Sequence, residues 1–502
     1  MKRLWTPLSC FLSLWFAGSA AAQTVPVKTI VIYNNSKTQT IYPVIQAPIR
    51  ANDLWLQAHF NVPHAAGQPF GSTKLYKAYI NRQKGVLPGQ SVSIRVPFYT
   101  QLLPVTPVTN GDYPDQYIDW WNAMRVYLFD GVTAARAAFN YNNDSAGKTI
   151  PPTPVNPLAG AQIPTCAPNN AFNCEAPTLV SYGVGYPWPI PAQLLEYTFA
   201  AANGPPLQPK FSIDYRIVNF NISGVDSVYM PAAMGVLGNA NVQYLGTVQA
   251  ADDFRAQLAV FADAGNKWPI FVPAYYTAQN PQTPLPSPPA GVQPYPQPQV
   301  PSANFVLAES YRRPTPAPPV LTSNVNGVTK LGTVAQRMVT LWNKCTSSTT
   351  NTSKTCVKLR NVYAFFKRNY TETCGLPLPL PPTWSLMRDV YGWVEFPNCP
   401  QGPQYNLAAT PGYKAAFADY CDLQYNYLDP TTPQLDIFNP YVPLLHQTIQ
   451  TNAYAFSVDD GIAFKSAPGT GLVITVGGPK GLPNQTQTPL PTLQTYKASC
   501  NG

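Results

Sequence analysis

The fold is decided by stretches such as Met124-Arg125-Val126-Tyr127-Leu128-Phe129, in which side chains alternate along the chain. The run Ser91-Val92-Ser93-Ile94-Arg95-Val96 alternates in the same way. A period of two residues is typical of an antiparallel strand that buries one face. Turn-forming Gly, Pro, Asn and Asp residues flank both runs. These patterns predict a mainly β chain, folded as an antiparallel β-sandwich.

Further strand patterns occur towards both ends of the chain. Residues 27–33 and 40–45 are rich in strand-forming residues, and Asn34-Asn35-Ser36 between them predicts a hairpin. Other strand-like runs lie at residues 194–199, 213–220, 227–230, 453–458 and 471–476. The sandwich is therefore expected to draw strands from both halves of the sequence.

Changes in composition divide the chain into segments. Residues 251–264 predict a short amphipathic helix, and helical periodicity returns at 334–342 and 414–420. The expected organisation is a signal peptide over 1–22, the first part of the sandwich over 23–272 with a long loop at 131–192, a proline-rich surface excursion over 273–329, an inserted helical and loop subdomain with disulfides over 330–450, and closing strands over 451–502.

The N-terminal residues have the pattern of an export signal. Lys2 and Arg3 precede the mainly apolar residues 11–16, and small residues at 17–22 follow. No other segment approaches 18 uninterrupted apolar residues, so no membrane span is expected. We therefore expect the protein to be secreted or periplasmic, and to be a monomer.

The overall composition excludes several classes of protein. Proline accounts for 57 of 502 residues, which argues against a long helical bundle. Apolar residues make up 45% and aromatic residues 12%, far more than a disordered chain carries. Charged residues make up only 11%; the formal net charge is +9, but no run of five basic residues occurs. Nucleic acid is therefore not an expected partner.

The cysteines predict disulfides rather than a metal site. Cys10 lies in the signal, and an even number in an exported chain favours disulfide bonds. The eight that remain are Cys166, Cys174, Cys345, Cys356, Cys374, Cys399, Cys421 and Cys500. The first two and the next two are close enough to form local loops, whereas the other four allow three pairings. Because the histidines are only His59, His64 and His446, no metal is expected.

Carboxylates are the remaining candidates for acid and base chemistry. The chain has no GxSxG, HExxH, GxxxxGK[ST] or GxGxxG motif. Glu196 and Asp226 each lie in a strand-like context, where they point either to solvent or together into one cleft. In a cleft, apolar neighbours such as Leu195 and Tyr197 would keep an acid protonated. Asp459-Asp460, which Gly461 follows, form either a strand-end turn or a further acidic pair.

The order of several motifs resembles that of the thaumatin-like proteins and the related family-64 β-1,3-glucanases. The motifs are Asn122-Ala123-Met124-Arg125-Val126-Tyr127, Leu195-Glu196-Tyr197-Thr198-Phe199, residues 221–231 from Asn221 to Pro231, and residues 453–460 from Ala453 to Asp460. The resemblance implies a thaumatin-like sandwich whose acidic cleft binds β-1,3-glucan without a cofactor. It implies Glu196 as general acid and Asp226 as the base that activates water. It also implies that Arg125, Asn221, Asp459 and Asp460 line the cleft.

Three functions follow from these observations. The first is hydrolysis of β-1,3-glucan by an inverting mechanism with two carboxylates. The second is non-catalytic binding of β-glucan or cell wall through the same cleft. The third is a structural or adhesive role, since a fold does not determine a function. The long loop, the proline-rich excursion and the small number of cysteines are departures from the thaumatin-like pattern.

Overall fold

The computed structural model describes part of the chain. The described residues are 23–24, 27–49, 74–79, 85–97, 100–101, 117–118, 124–131, 135, 153–154, 161–162, 173–175, 180–182, 192–199, 217–224, 227–261, 308–309, 322–325, 328–331, 333–375, 390–391, 393, 409–455 and 464–500. The signal segment and most of the predicted loop and proline-rich excursion lie outside these ranges.

The described residues are mainly strands, with helices concentrated after residue 332. The strands are β1 (Gln23–Thr24), β2 (Val27–Asn34), β3 (Tyr42–Ile49), β4 (Lys74–Tyr79), β5 (Ser91–Pro97), β6 (Thr100–Gln101), β7 (Tyr117–Ile118), β8 (Met124–Phe129), β9 (Thr153–Pro154), β10 (Ala161–Gln162), β11 (Asn173–Glu175), β12 (Val180–Tyr182), β13 (Gln193–Thr198), β14 (Ile217–Ser223), β15 (Ser227–Val228), β16 (Ala232–Leu237), β17 (Leu245–Gly246), β18 (Ala308–Glu309), β19 (Thr322–Val325), β20 (Val328–Leu331), β21 (Phe464–Pro468) and β22 (Gly471–Val476). The helices are α1 (Ala251–Phe261), α2 (Thr333–Thr346), α3 (Lys354–Arg368), α4 (Tyr413–Gln424), α5 (Tyr441–Pro443) and α6 (Leu493–Cys500).

Two large sheets carry the hydrophobic core. One has the strand order β11-β5-β2-β22-β16-β17, and the other has the order β21-β14-β13-β8-β3-β4-β12-β9. Most neighbours are antiparallel, but β2 pairs with β22 in parallel. Ile32 and Ile94 of the first sheet and Val126 and Leu195 of the second are fully buried in one cluster. The prediction of a mainly β fold is confirmed at this level.

The predicted hairpin at residues 27–45 is wrong, because β2 and β3 belong to different sheets. The Asn34 side chain explains the crossing. It is fully buried, and its amide nitrogen donates hydrogen bonds to the carbonyl oxygens of Gln39 at 2.6 Å and Val86 at 2.7 Å. These bonds hold the chain in an open connection rather than a tight turn. Local pattern therefore identified both strands but not their pairing.

The predicted strand at residues 453–458 is described only over its first three residues. Within its described part, Tyr454 makes only an isolated bridge to Ser223, and residues 456–458 lie outside the described ranges. The Tyr454 backbone nitrogen donates to Ile222 O at 2.8 Å, and its carbonyl accepts from Gly224 N at 2.7 Å.

The predicted helices are confirmed where they are described. In α1, Phe254 and Leu258 are buried, as the amphipathic pattern requires. Helices α2 and α3 are linked by the disulfide Cys345–Cys356, one of the two predicted local pairs. Cys374 and Cys421 are also disulfide-bonded. Cys166 and Cys399 lie outside the described residues, and Cys174 and Cys500 are described only as parts of β11 and α6.

The helical segment rejoins the sandwich at the end of β14. The Tyr441 hydroxyl donates to Gly224 O at 2.6 Å, and a Cβ on Gly224 would lie 2.5 Å from the Leu445 side chain. Helix α5 continues as the π-helical turn Leu444–Thr448, which places His446 in the buried part of this junction. None of the described helices has the length and hydropathy of a membrane span.

His446 should make the protein less stable in acid. Its Nδ1 lies 3.1 Å from Thr451 O, and burial lowers the pKa of its imidazole from 6.5 to about 4. The unfolded chain therefore takes up a proton near pH 6.5, whereas the folded chain does so only near pH 4. We expect the free energy of unfolding to fall by about 3 kcal/mol over that interval as the pH is lowered.

Urea unfolding at several pH values measures this effect. The comparison is with His446→Gln, which has no group that titrates in this interval, so its stability should depend less steeply on pH. Parallel pH dependence in the two proteins would contradict the assignment.

Candidate functional site

A row of polar positions crosses the larger sheet. Glu196 on β13 is in register with Arg125 on β8 and with Asn221 on β14. The row continues from Arg125 to Gln46 on β3, and from there to Lys77 on β4. Residues in direct register lie on the same face of a sheet. Five polar positions therefore form one line across five adjacent strands, which spans about 19 Å at 4.8 Å between strands.

The centre of the row is an ion pair between Arg125 and Glu196. Arg125 Nε donates to Glu196 Oε1 at 3.3 Å. The Arg125 side chain is 53% exposed and that of Glu196 is 29% exposed, so both are accessible to a ligand. At this exposure the pair contributes little to stability, about 0 to 1 kcal/mol. The ion pair therefore matters for its accessible position on the sheet rather than for its contribution to stability.

Asn221 flanks Glu196 on the other side. Its amide oxygen Oδ1 is buried and has no hydrogen-bond partner. A buried amide oxygen without a donor costs about 1 to 3 kcal/mol. Asn221 and Glu196 are directly paired in antiparallel strands, so their Cβ atoms lie about 5 Å apart.

The polar row lies where the cover over this face of the sheet ends. Two positions along β8, Tyr127 is buried, and so are Val44 and Ser223 in the same cross-strand row. Two residues in a strand span about 6.6 Å. Leu194, the fourth member of that row, is half-buried, so accessibility increases from the Tyr127 row to Arg125 and Glu196 within that distance.

One expectation about Glu196 needs correction. Leu195 and Tyr197 are buried in the core, on the opposite face of β13 from Glu196, so they do not surround its carboxyl. The strand that leads towards Asp226 is β14, the direct neighbour of β13, and no strand separates them. The immediate neighbours of Glu196 across the sheet are thus polar: a cation on one side and an amide on the other.

Three acidic residues of the predicted site lie outside the described residues: Asp226, Asp459 and Asp460. Their described flanks can be located. The backbone nitrogen of Gly224, just after β14, donates to Tyr454 O. Phe464 pairs with Phe220 on the same edge of β14. Both chain segments that carry these acids thus leave the sheet close to Asn221, at the edge of the strand beside Glu196.

A second charged cluster was not anticipated from the sequence. Asp130, just after β8, accepts hydrogen bonds on Oδ2 from Gln39 Nε2 at 2.8 Å, Tyr229 OH at 2.5 Å and Arg255 Nη2 at 2.9 Å. The Arg255 guanidinium also lies 5.4 Å from the centre of the Tyr229 ring. This cluster fixes α1 against the end of β8. From the sequence alone, Asp130 is a turn residue and Arg255 is a cation in a helix. Their contact could not be predicted because the two residues are 125 positions apart.

Among the described residues, no group of three or more His, Cys, Asp or Glu side chains is arranged to hold a metal ion. The chemistry available in this part of the chain is that of an exposed carboxylate, a guanidinium and an amide.

No protein-family model and no curated protein matches the chain. Among solved structures it is similar to a laminaripentaose-producing β-1,3-glucanase in complex with laminaritetraose, at 12% identity and a TM-score of 0.34. It is also similar to a β-1,3-glucanase domain (GH64) from Clostridium beijerinckii, at 12% identity and a TM-score of 0.33. Each alignment covers 90% of this chain and 98% of the other. These likenesses are remote and assign no family to the chain.

Proposed function

We propose that the chain is a secreted or periplasmic carbohydrate-active protein that hydrolyses β-1,3-glucan at the open face of the larger sheet. The observation that carries the proposal is the row Arg125–Glu196–Asn221 at the boundary of the covered face. Polar side chains on a rigid sheet floor suit a ligand with many hydroxyl groups. The order of the sequence motifs, which resembles that of thaumatin-like proteins and family-64 glucanases, supports the same substrate.

The proposed mechanism uses two carboxyls, one as general acid and one as general base. Glu196 donates a proton to the glycosidic oxygen, and Asp226 accepts a proton from the attacking water. An inverting reaction of this kind needs carboxyls about 6.5 to 9.5 Å apart, which leaves room for the water. Arg125 would orient Glu196 through the contact to Oε1, and Asp459 and Asp460 would bind sugar hydroxyls at the rim of the cleft.

A non-catalytic glucan-binding protein is the second candidate. It is favoured by the Arg125–Glu196 contact, since a guanidinium and a carboxyl that are both accessible can bind sugar hydroxyls without any transfer of a proton. Binding requires only that the row offers hydrogen-bond partners to the sugar. The two candidates differ in whether the glycosidic bond is broken.

The test uses residues 23–502, produced in an oxidising host. We expect reducing sugar to be released from laminarin, a soluble β-1,3-glucan, but not from a soluble β-1,4-glucan. NMR of the first product should show the inverted anomer. Binding to insoluble β-1,3-glucan without sugar release would replace hydrolysis by the second candidate. A protein that neither binds nor cleaves the glucan would contradict both.

A further inference from the structure

We propose that Cys421 forms its disulfide with Cys500, so that a covalent bond fastens the C-terminal helix α6 to α4. Cys421 is buried and disulfide-bonded. Once the two local pairs predicted from the sequence are formed, three cysteines are left as its partner: Cys374, Cys399 and Cys500. The inference goes beyond the proposed function and does not depend on it, because neither glucan nor Glu196 is involved.

The contacts between α3 and α4 fix the relative direction of the two helices. Asn361 Nδ2 on α3 donates to Asp419 Oδ2 on α4 at 2.8 Å. Two turns further along α3, Arg368 Nη2 donates to the carbonyl oxygen of Pro411, which precedes α4. Residue numbers thus rise along one helix while they fall along the other. The two helices are antiparallel, and residues after Arg368 lie ever farther from the C-terminal half of α4.

This arrangement excludes Cys374 as the partner of Cys421. Cys374 follows α3 directly after the π-helical turn Asn369–Thr373. From Asn361 to Cys374 the helix rises by about 20 Å at 1.5 Å per residue. Asn361 is level with Asp419, and Cys421 lies beyond Asp419 in the opposite direction. A disulfide requires Cα atoms less than about 7 Å apart, so these two cysteines cannot bond to each other.

Helix α6 contacts α4 next to Cys421. The Tyr496 ring of α6 stacks on the Tyr425 ring, with centroids 5.0 Å apart and planes at 17°. The Tyr496 hydroxyl donates to Asp422 Oδ1 at 3.4 Å. Tyr425 lies one helical turn after Cys421, and its backbone nitrogen donates to Cys421 O at 3.1 Å. The contact between the two helices is therefore centred within one turn of Cys421.

Cys500 lies one turn after Tyr496 on α6. Residues four apart in a helix share a face, and their Cα atoms are separated by about 6 Å along the axis. Cys500 is therefore within reach of Cys421, whereas Cys374 is about 20 Å away along α3 and α4. Cys374 is itself disulfide-bonded. Pairing Cys421 with Cys399 would leave Cys374 to Cys500, which it cannot reach, so Cys399 is the partner of Cys374.

The bond forms by thiol–disulfide exchange. The two thiols pass two protons and two electrons to another disulfide, which becomes two thiols, and the two sulfur atoms of the protein join. Compartments that receive exported proteins maintain such oxidants. The loop between Cys421 and Cys500 contains β21 of one large sheet and β22 of the other. The bond would therefore link the helical segment to the closing strands of both sheets.

Peptide mapping of the protein produced in an oxidising host tests the pairing. Free thiols are alkylated in denaturant at slightly acidic pH, which suppresses exchange, before digestion. Trypsin cleaves after Lys and Arg, so it places each of the four cysteines in its own peptide: 369–388, 389–414, 415–465 and 498–502. Mass spectrometry should find 415–465 joined to 498–502, and 369–388 joined to 389–414. Both pairs should separate on reduction.

Two results of the mapping would overturn the proposal. One is peptide 498–502 joined to 369–388 or to 389–414. The other is peptide 498–502 carrying the alkyl group, since Cys500 would then be a free thiol. Because the mapping uses the wild-type chain, it does not depend on the folding of a variant.

Serine variants give an independent readout. Cys421→Ser and Cys500→Ser remove the same bond, so each should raise the equilibrium constant for unfolding by about 30- to 1,000-fold. The double variant should be no less stable than either single variant. Cys374→Ser is the matched control, since it breaks a different bond and its effect should add to that of Cys500→Ser. Additive losses for Cys421→Ser and Cys500→Ser would contradict the pairing.

Discussion

Replacing Glu196 by Gln is expected to lower laminarin hydrolysis by about 10²- to 10⁴-fold, the usual loss when a general acid is removed. Glutamine has nearly the same shape and keeps an oxygen that can accept from Arg125 Nε, but it cannot donate a proton to the leaving oxygen. The loss should appear in kcat. Binding to insoluble β-1,3-glucan should change little, since the remainder of the row is intact.

The stability of this variant should be nearly that of the wild type. The ion pair that it removes is exposed, and such pairs contribute about 0 to 1 kcal/mol. Glu372→Gln is the matched control, because Glu372 is an exposed glutamate in the π-helical turn Asn369–Thr373, away from the sheet. It should retain full activity. Full activity in Glu196→Gln would remove Glu196 from the chemistry, whatever the substrate.

The corresponding variant of the proposed base is Asp226→Asn. A comparable loss would support the two-carboxylate mechanism. Loss in Glu196→Gln alone would leave the base to be found among the other proposed acids, Asp459 and Asp460, whose described flanks lie beside β14. Assays of single variants at Glu196, Asp226, Asp459 and Asp460 on one substrate would therefore show which residue acts as acid and which as base.

Local sequence pattern predicted the strands but not their partners. Residues 91–96 and 124–129 form strands β5 and β8 because alternation is a property of a few neighbouring residues. The hairpin at residues 27–45 failed because sheet membership depends on contacts that are distant in sequence. The buried Asn34 side chain, which bonds to Val86 O, is one such contact, and it joins residues 52 apart.

The candidate site shows the same division. The resemblance of motifs placed Arg125, Glu196 and Asn221 in one cleft, and the structure brings these three into one row. The polarity of their immediate surroundings did not follow from the sequence. Leu195 and Tyr197 are adjacent to Glu196 in the chain, but alternation sends them to the other face of β13. Only the register across strands identifies the neighbours that a carboxyl in a sheet contacts.

The second large effect is expected at Gly246, where Gly246→Ala should lower the free energy of unfolding by roughly 4 kcal/mol. Gly246 has φ = +92°, a conformation that alanine rarely adopts. A Cβ there would lie 2.1 Å from Ala232 O and 2.2 Å from Ile222 Cδ1. The isoleucine side chain can move, but the backbone oxygen belongs to β16, which pairs with β22 along its whole length.

Gly89→Ala separates the two causes of that loss. Gly89 also has a positive φ, +74°, but a Cβ there would meet nothing within 4 Å. It should therefore show only the backbone strain, about 1 kcal/mol. The difference between the two variants in denaturant unfolding measures the steric contribution at Gly246. Equal losses of unfolding free energy in the two variants would mean that β16 shifts to accommodate the added methyl group at no further cost.

The position of Gly246 links this stability effect to the site. Its backbone nitrogen donates to Asn452 O at 2.9 Å, and Asn452 N donates back to Gly246 O at 3.3 Å. Two residues later, Tyr454 bonds to Ile222 and Gly224 at the end of β14, next to Asn221. A displacement of Gly246 would also displace residues 452–454 from the edge of β14, the strand that pairs with the strand of Glu196. We therefore expect Gly246→Ala, unlike Gly89→Ala, to weaken laminarin hydrolysis even at temperatures at which the protein remains folded.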